Sequence, residues 1–387
     1  MIDRYADQFL LDPDIHFLNH GSFGACPKPV FETQVAWQRQ VEAHPVELLD
    51  RRMAQEMKSS RSALADFLDC PVEDVVYFSN PTTAINMVAR SLSLKPGDEI
   101  LTSDHEYGAM DRTWNFIAEK TGARYLAQPI PLPVTDHETF IETFWQGVTP
   151  RTRVIFLSHI TSQTALIFPI AEICRKAREA GILTIIDGAH APGQIPVDLL
   201  RIAPDVYTGA CHKWMCAPKG AAFLYARKEV QAWLDPLVVS WGYQAEHPSD
   251  SQFVDHHEWQ GTRDISAFLS VPAAIRFQRE HEWDQVQADC HQMVLEARTR
   301  LHRLTDLPKI CPDGPEWLGQ MAAIPLPELD IQRLKMRLYH QFKVEVPVYR
   351  WQGRAFLRVS VQGYTTQQDL DALEAGLSEL LPQEVAE

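Results

Sequence analysis

The segment Asp205-Val-Tyr-Thr-Gly-Ala-Cys-His-Lys213 runs a short apolar strand into a His-Lys pair, and Trp-Met-Cys-Ala-Pro-Lys-Gly-Ala-Ala-Phe-Leu224 leads away from it through a turn of small residues. A lysine held at a sheet edge in this way forms a Schiff base with a carbonyl compound once its surroundings make the neutral amine available. Upstream, Leu183-Thr-Ile-Ile-Asp187-Gly-Ala-His-Ala-Pro-Gly193 sets a carboxylate where an apolar strand ends in a tight turn. Ligands of open α/β sheets bind at the carboxyl ends of strands, and an anion there keeps a bound pyridine nitrogen protonated, which makes the ring an electron sink. A third segment, Val75-Val-Tyr-Phe-Ser-Asn-Pro-Thr82-Thr83-Ala-Ile-Asn-Met-Val-Ala89, is a strand, a polar turn and a helix start. Its first-turn N–H groups, the two threonine hydroxyls and the helix dipole suit a phosphate.

Each segment alone has a plainer explanation. A lysine after a histidine on a turn is ordinarily a solvated charge, Asp187 is a good turn former, and strand-then-helix anion sites are common. Their occurrence together in one block is what selects the chemistry.

That block runs from about Val75 to Tyr225 and alternates short β-branched or aromatic runs with amphipathic stretches, the pattern of an α/β unit with a mainly parallel sheet. Seven strands are expected, at Val75-Phe78, Glu99-Thr102, Arg124-Ala127, Val154-Ser158, Leu183-Ile186, Val206-Thr208 and Ala221-Tyr225. Helices are expected at Thr83–Leu92, Tyr107–Lys120 and Ile170–Ala180, the last stopped by Gly181. A helical stretch from Val30 to Leu68, broken at Pro45, precedes the block. Pro236 to Gly261 follows it with little periodicity and reads as a long functional connection. Beyond Thr262 the pattern changes to helices over Ser266-Glu280 and Trp283-Leu304 and strands near Met321-Ile324, Val344-Val346 and Phe356-Val361. The expected division is an N-terminal arm over 1–25, a large α/β domain over 26–262 and a small α+β domain over 263–387.

Composition bounds the partners. A formal charge of -15 and a pI near 5.4 repel phosphate backbones and anionic membranes, which leaves small molecules as the expected ligands. No apolar run approaches the roughly 20 residues that cross a bilayer. Seven scattered cysteines in a chain without a secretory leader fit reduced thiols in a cytoplasm. Cys211 and Cys216 have no matching second pair, so no metal site is expected, and the His256-His257 pair in its polar stretch is expected to be solvated.

Taken in order, Thr82-Thr83, Glu106-Tyr107, Asp187-Gly-Ala-His190, His212-Lys213 and Gly261-Thr262 resemble the class V aminotransferase family, fold-type I pyridoxal 5'-phosphate (PLP) enzymes that include the cysteine desulfurases. Phe17-Leu-Asn-His-Gly-Ser-Phe-Gly24, Ser158-His-Ile-Thr-Ser162 and Val346-Pro-Val-Tyr349 are most similar to the isopenicillin N epimerase-like group. Similar openings occur in plant-type cysteine desulfhydrases and ergothioneine-pathway C–S lyases. The resemblance extends from about residue 17 to 365 and implies a fold-type I architecture with a seven-stranded, mainly parallel central sheet.

It also implies roles. Lys213 would carry PLP as a Schiff base, Asp187 would pair with the pyridine nitrogen, His190 would lie near the phenolic oxygen and Tyr107 would stack on the ring. Thr82, Thr83 and His212 would hold the phosphate, joined by Thr262 from a neighbouring subunit, so a homodimer with shared sites is expected. Arg358 would clamp the substrate carboxylate with its planar fork. His20 and His159 are either substrate-binding or structural, Tyr107 and Arg358 have packing and ion-pair alternatives, and Cys211 reads as a small buried residue. The sequence departs from the family at Ala210-Cys211, at Gly363-Tyr364-Thr365 and at Ala165, where a glycine often stands.

The expected reaction starts when a substrate amine displaces Lys213, whose freed amine removes the Cα proton. Persulfide transfer needs a nucleophilic cysteine before the arginine motif, and Val344 to Arg358 contains none. Epimerisation needs a second proton donor, for which Tyr107, His20 and His159 are the candidates. The sequence therefore favours an epimerase-like enzyme acting on an α-amino acid or an aminoacyl side chain. A C–S lyase comes second and an aminotransferase third. A PLP-binding protein without turnover is disfavoured, because it needs no carboxylate clamp.

Overall fold

The computed structural model describes residues 5–385, so the first four residues of the expected arm and the last two of the chain lie outside the described residues. Seven strands form the central sheet, in the spatial order Val75–Phe78, Ala222–Ala226, Val206–Ala210, Leu183–Asp187, Thr152–Ser158, Glu99–Ser103 and Arg124–Gln128. Six run in one direction and Ala222–Ala226 runs against both of its neighbours. The inner strands are buried along nearly their whole length, which explains why they read as continuous apolar runs rather than alternating ones.

Helices cover both faces. On one side Pro81–Ser91 and Gly108–Thr121 pack through Ile85, Met87, Val88, Trp114 and Ile117 against Val76, Phe156 and Ile185. On the other, Ile170–Glu179 and the long helix Met53–Leu68 join a core that continues into the C-terminal part. There, Val348–Trp351, Arg354–Ser360 and Met321–Pro325 form an antiparallel sheet backed by Trp283–Thr305. His16–Phe17 pairs in parallel with Val344–Glu345, and Asn19 bridges to Ser360, so the N-terminal segment is stitched to the C-terminal sheet.

Several elements depart from the sequence reading. The stretch read as an aperiodic connection contains the helix Gln252–Glu258, capped by Ser251, whose hydroxyl accepts the Val254 N–H. His257 on that helix is buried against Phe78 and Phe253 rather than solvated, because Gln252–Glu258 lies over the sheet edge at Val75–Phe78. All seven cysteines are unpaired. Among the described residues, no helix is long and apolar enough to cross a membrane.

Candidate active site

The carboxyl ends of the parallel strands converge on one cavity lined by Lys213, Asp187, His190, His212, Tyr107 and Thr82. Lys213 follows Val206–Ala210 through a turn in which the Cys216 N–H bonds the Lys213 carbonyl and the Ala217 N–H bonds that of Cys211. The N-terminal segment closes over this turn. Gly24 sits there at φ 68°, and a Cβ at that position would fall 2.0 Å from the His212 carbonyl oxygen, so only glycine allows the approach. Burial, reinforced by the Arg358 charge and opposed by Asp187, lowers the Lys213 ammonium from its ordinary 10.5 to about 8. A useful fraction of neutral, nucleophilic amine therefore exists near neutral pH.

Asp187 ends the strand Leu183–Asp187, and its Oδ1 accepts the Ala189 N–H at 2.9 Å. It is buried, which raises its pKa, while Lys213 acts in the opposite sense. A cationic ring nitrogen beside it would restore the charged form. Glu106, to which the sequence assigns no role, stands buried directly behind the same wall. Its Oε2 accepts both the N–H (3.0 Å) and the hydroxyl (2.6 Å) of Ser158, and Oε1 accepts from Ser103 at 2.7 Å. Ser158 lines the cavity in register with Asp187 on the next strand. The available signal was a carboxylate between a strand end and a helix start, with serine three residues earlier.

The helix start at Pro81–Ser91 is more economical than expected. Pro81 has no N–H, the Asn80 side chain accepts the Thr83 N–H at 2.8 Å and the Thr83 hydroxyl at 3.0 Å, and the Ala84 N–H bonds the Asn80 carbonyl. Thr82 lines the cavity and Thr83 does not, because the Asn80 cap holds it. His212 lines the cavity with its Nδ1 3.2 Å from the Ala221 carbonyl, so Nδ1 carries the proton. Burial and then Lys213 push His212 down to about 4, and its free Nε2 can donate to a phosphate only when the anion draws a second proton onto the ring.

Arg358, on Arg354–Ser360, is buried with no carboxylate in salt-bridge reach among the described residues. Nη1 donates to the Ser162 carbonyl (2.7 Å) and hydroxyl (3.2 Å), Nη2 donates to the Ser22 hydroxyl (3.2 Å), and Nε has no partner. Ser22 and Ser162 both line the cavity, and Arg358 stands behind them rather than in the lining itself. A buried cation without an acid is unfavourable until an anion arrives, and a planar fork selects a carboxylate.

The remaining candidates separate. Tyr107 caps the helix Gly108–Thr121 and stands at the cavity with its side 46% exposed. His20 does not line the cavity: it backs the lysine turn, with Nε2 3.1 Å from the Lys213 carbonyl and Nδ1 2.9 Å from the Tyr364 hydroxyl. His159 does not line it either, its Nδ1 lying 2.9 Å from the Tyr207 hydroxyl. Burial takes both to about 3. Thr262 is exposed in a separate groove beside Arg61, Glu258 and Trp241, so within one chain it does not meet Lys213.

A lysine with an available amine, a buried acid at the end of a parallel strand and a helix start facing the same space are the donor set of a fold-type I PLP enzyme, and the residues present fit that cofactor. The Aminotransferase class-V family matches residues 25–373, and the chain belongs to that PLP-dependent family of enzymes. It is similar to the isopenicillin N epimerase of Amycolatopsis lactamdurans, 35% identical with 97% of each chain covered. It is also similar to the L-cysteine desulfhydrase of Arabidopsis thaliana, 27% identical over 94% of this chain and 87% of that one. In fold it matches the apo cysteine desulfurase of Thermococcus onnurineus NA1, with a TM-score of 0.83, 18% identity and 97% of each chain covered.

Proposed function

We propose that the chain epimerises the α-carbon of an amino acid or of an aminoacyl side chain, in the manner of the isopenicillin N epimerases to which it is similar. The observation that carries this reading is the buried Arg358 guanidinium, without an acidic partner, within electrostatic reach of a lysine whose amine is available. The bound cofactor supplies the electron sink for a Cα carbanion. Asp187 would keep the ring nitrogen protonated, while Thr82 and His212 would hold the phosphate. Arg358 fixes the substrate carboxylate and so orients the Cα–H bond. Lys213, whose amine faces the cavity, would remove the Cα proton. Tyr107, the accessible phenol at the cavity, is the donor that returns a proton from the opposite side, since His20 and His159 are engaged elsewhere. Thr262 serves the phosphate of a partner subunit in a cytoplasmic homodimer, and the unit 263–387 contributes Arg358 to the site of the unit 26–262 by way of Ser22 and Ser162.

Incubation in deuterated solvent tests the reading. The expected outcome is deuterium at Cα with loss of chirality and no keto product. Direct β-elimination is the second reading, favoured by the pinned segment before Arg358. That segment lacks cysteine, and it is held down by the Trp351 Nε1–H on the Asp104 carbonyl (3.1 Å) and by Gln352 on the Asp104 carboxylate (2.5 Å). Pyruvate and sulfide released from cysteine, without deuterium in recovered substrate, would replace the epimerase reading with that one.

A further inference from the structure

His190 has one ring nitrogen on each side of a short relay. The Trp214 Nε1–H donates to its Nδ1 at 3.3 Å, and its Nε2 lies 3.2 Å from the Lys213 amine. Both contacts fix the ring orientation, since a flipped ring would present carbon to each neighbour. An indole nitrogen only donates, so Nδ1 must be bare. His190 is buried, and burial together with the charges of Lys213 and Arg358 holds it far below its ordinary 6.5, so the ring is neutral. A neutral ring with a bare Nδ1 carries its single proton on Nε2, pointing at the lysine.

We propose that Trp214 is a positioning residue that fixes the tautomer of His190, so that an Nε2–H donor always faces Lys213 and the space where the cofactor's phenolic oxygen sits. In the unloaded chain this donor requires a lone pair on Nζ and stabilises the neutral amine. In the loaded chain the same donor meets an oxygen. The surroundings suit such a lock. Trp214 is fully buried, the His20 ring lies 4.7 Å from its ring, and Gln278 donates to its carbonyl at 2.8 Å. The other groups facing the relay are His212 and His20 toward His190, and Arg358 and Asp187 toward Lys213. None of them is hydrogen-bonded to Nδ1, which among the described residues meets the Trp214 N–H.

The inference rests on the cofactor reading of Lys213, and the two fail separately. If wild-type enzyme loaded with PLP shows no visible absorption band for the lysine-bound cofactor, the Lys213 reading falls. Given that band, its pH midpoint is compared between wild type and Trp214→Phe, which removes the N–H and keeps an aromatic ring. The expected result is an upward shift of about half to one pH unit, as the loss of one hydrogen-bond donor implies. A packing role alone would lower the melting temperature and leave the midpoint in place, which would overturn the proposal. Should Trp214→Phe fail to fold, ¹⁵N NMR of wild-type holoenzyme, with the His190 signals identified by their loss in His190→Gln, decides directly. Protonated Nε2 and bare Nδ1 support the lock, and a protonated Nδ1 overturns it.

Discussion

Ser158 donates twice to one oxygen of Glu106, through its backbone N–H and its hydroxyl, and so ties the end of Thr152–Ser158 to the loop that carries Tyr107. Ser158 lies in register with Asp187, so a second buried carboxyl group, that of Glu106, stands behind the cavity wall that Asp187 lines. Neither has a cation in salt-bridge contact among the described residues. Buried acids so close do not both ionise readily. Burial, opposed by the Ser158 and Ser103 hydrogen bonds and reinforced by Asp187 and Asp111, pushes Glu106 up to about 8. Glu106 is therefore largely protonated at neutral pH.

This arrangement gives stability a pH dependence. The folded chain holds a proton that the unfolded chain releases near the ordinary 4.5, so the contribution is fully present below about 4.5 and lost as pH rises through about 8. Glu106→Gln mimics the neutral acid and should flatten this part of the fall in melting temperature between pH 5 and 8. Glu106→Ala should destabilise at every pH, because Ser158 loses its acceptor. Thermal melts of the three proteins across that range check it, and a Gln variant with the wild-type slope would refute it.

Arg358 invites the opposite expectation for stability. Its removal takes away a buried cation with no acid and an unpartnered Nε, and replacing such a group by an apolar side chain is often neutral or stabilising by roughly 1–4 kcal/mol. Arg358→Met should keep or raise the melting temperature while kcat/KM falls by about 100-fold or more, since a buried polar clamp is lost. Arg358→Lys should keep the charge, lose the fork and raise KM more than it lowers kcat. Melting curves and steady-state kinetics on the same preparations separate these effects.

Capture of the cofactor should follow the free amine of Lys213. With the ammonium lowered to about 8, the reactive fraction grows roughly tenfold per pH unit below that value and levels off above it. Stopped-flow absorbance on PLP mixed with the cofactor-free chain should give that profile, and Lys213→Ala should give no lysine-bound band. A profile still rising to pH 10 would mean that the amine is solvated.

The central sheet was legible because each strand is a short apolar run bounded by turns, and because the chemistry sits at strand ends, where position along the chain fixes position in space. Asp187, His212 and Lys213 follow from that alone. What the sequence hid was partnership. The Tyr364 hydroxyl that engages His20 comes from 344 residues away, and no local pattern announces it. Thr82 and Thr83 looked equivalent until Asn80 closed its cap over the second. The helices His137–Trp145 and Ile331–Phe342 went unread although Asp136 and Asp330 cap them, because their apolar stripes are short. Gln367–Val385 is helical to the end of the described residues and was not recognised either.

The N-terminal segment should prove part of the site rather than an appendage. Gly24 lies at φ 68°, and a Cβ added there would fall 2.0 Å from the His212 carbonyl oxygen and 2.9 Å from the Lys213 Cα, so an added methyl group meets backbone that cannot yield cheaply. Four residues earlier His20 holds the Lys213 carbonyl, and two residues earlier Ser22 holds the Arg358 fork. Gly24→Ala must therefore lift this segment away from the lysine turn, at a cost of about 2 kcal/mol or more. Because Ser22 leaves with it, substrate binding should suffer beyond the loss of stability. KM should rise several-fold at a temperature where the variant is fully folded, while the visible band of the lysine-bound cofactor persists. Circular dichroism, absorbance and steady-state kinetics at that temperature check the three statements, and an unchanged KM would detach the segment from the substrate site.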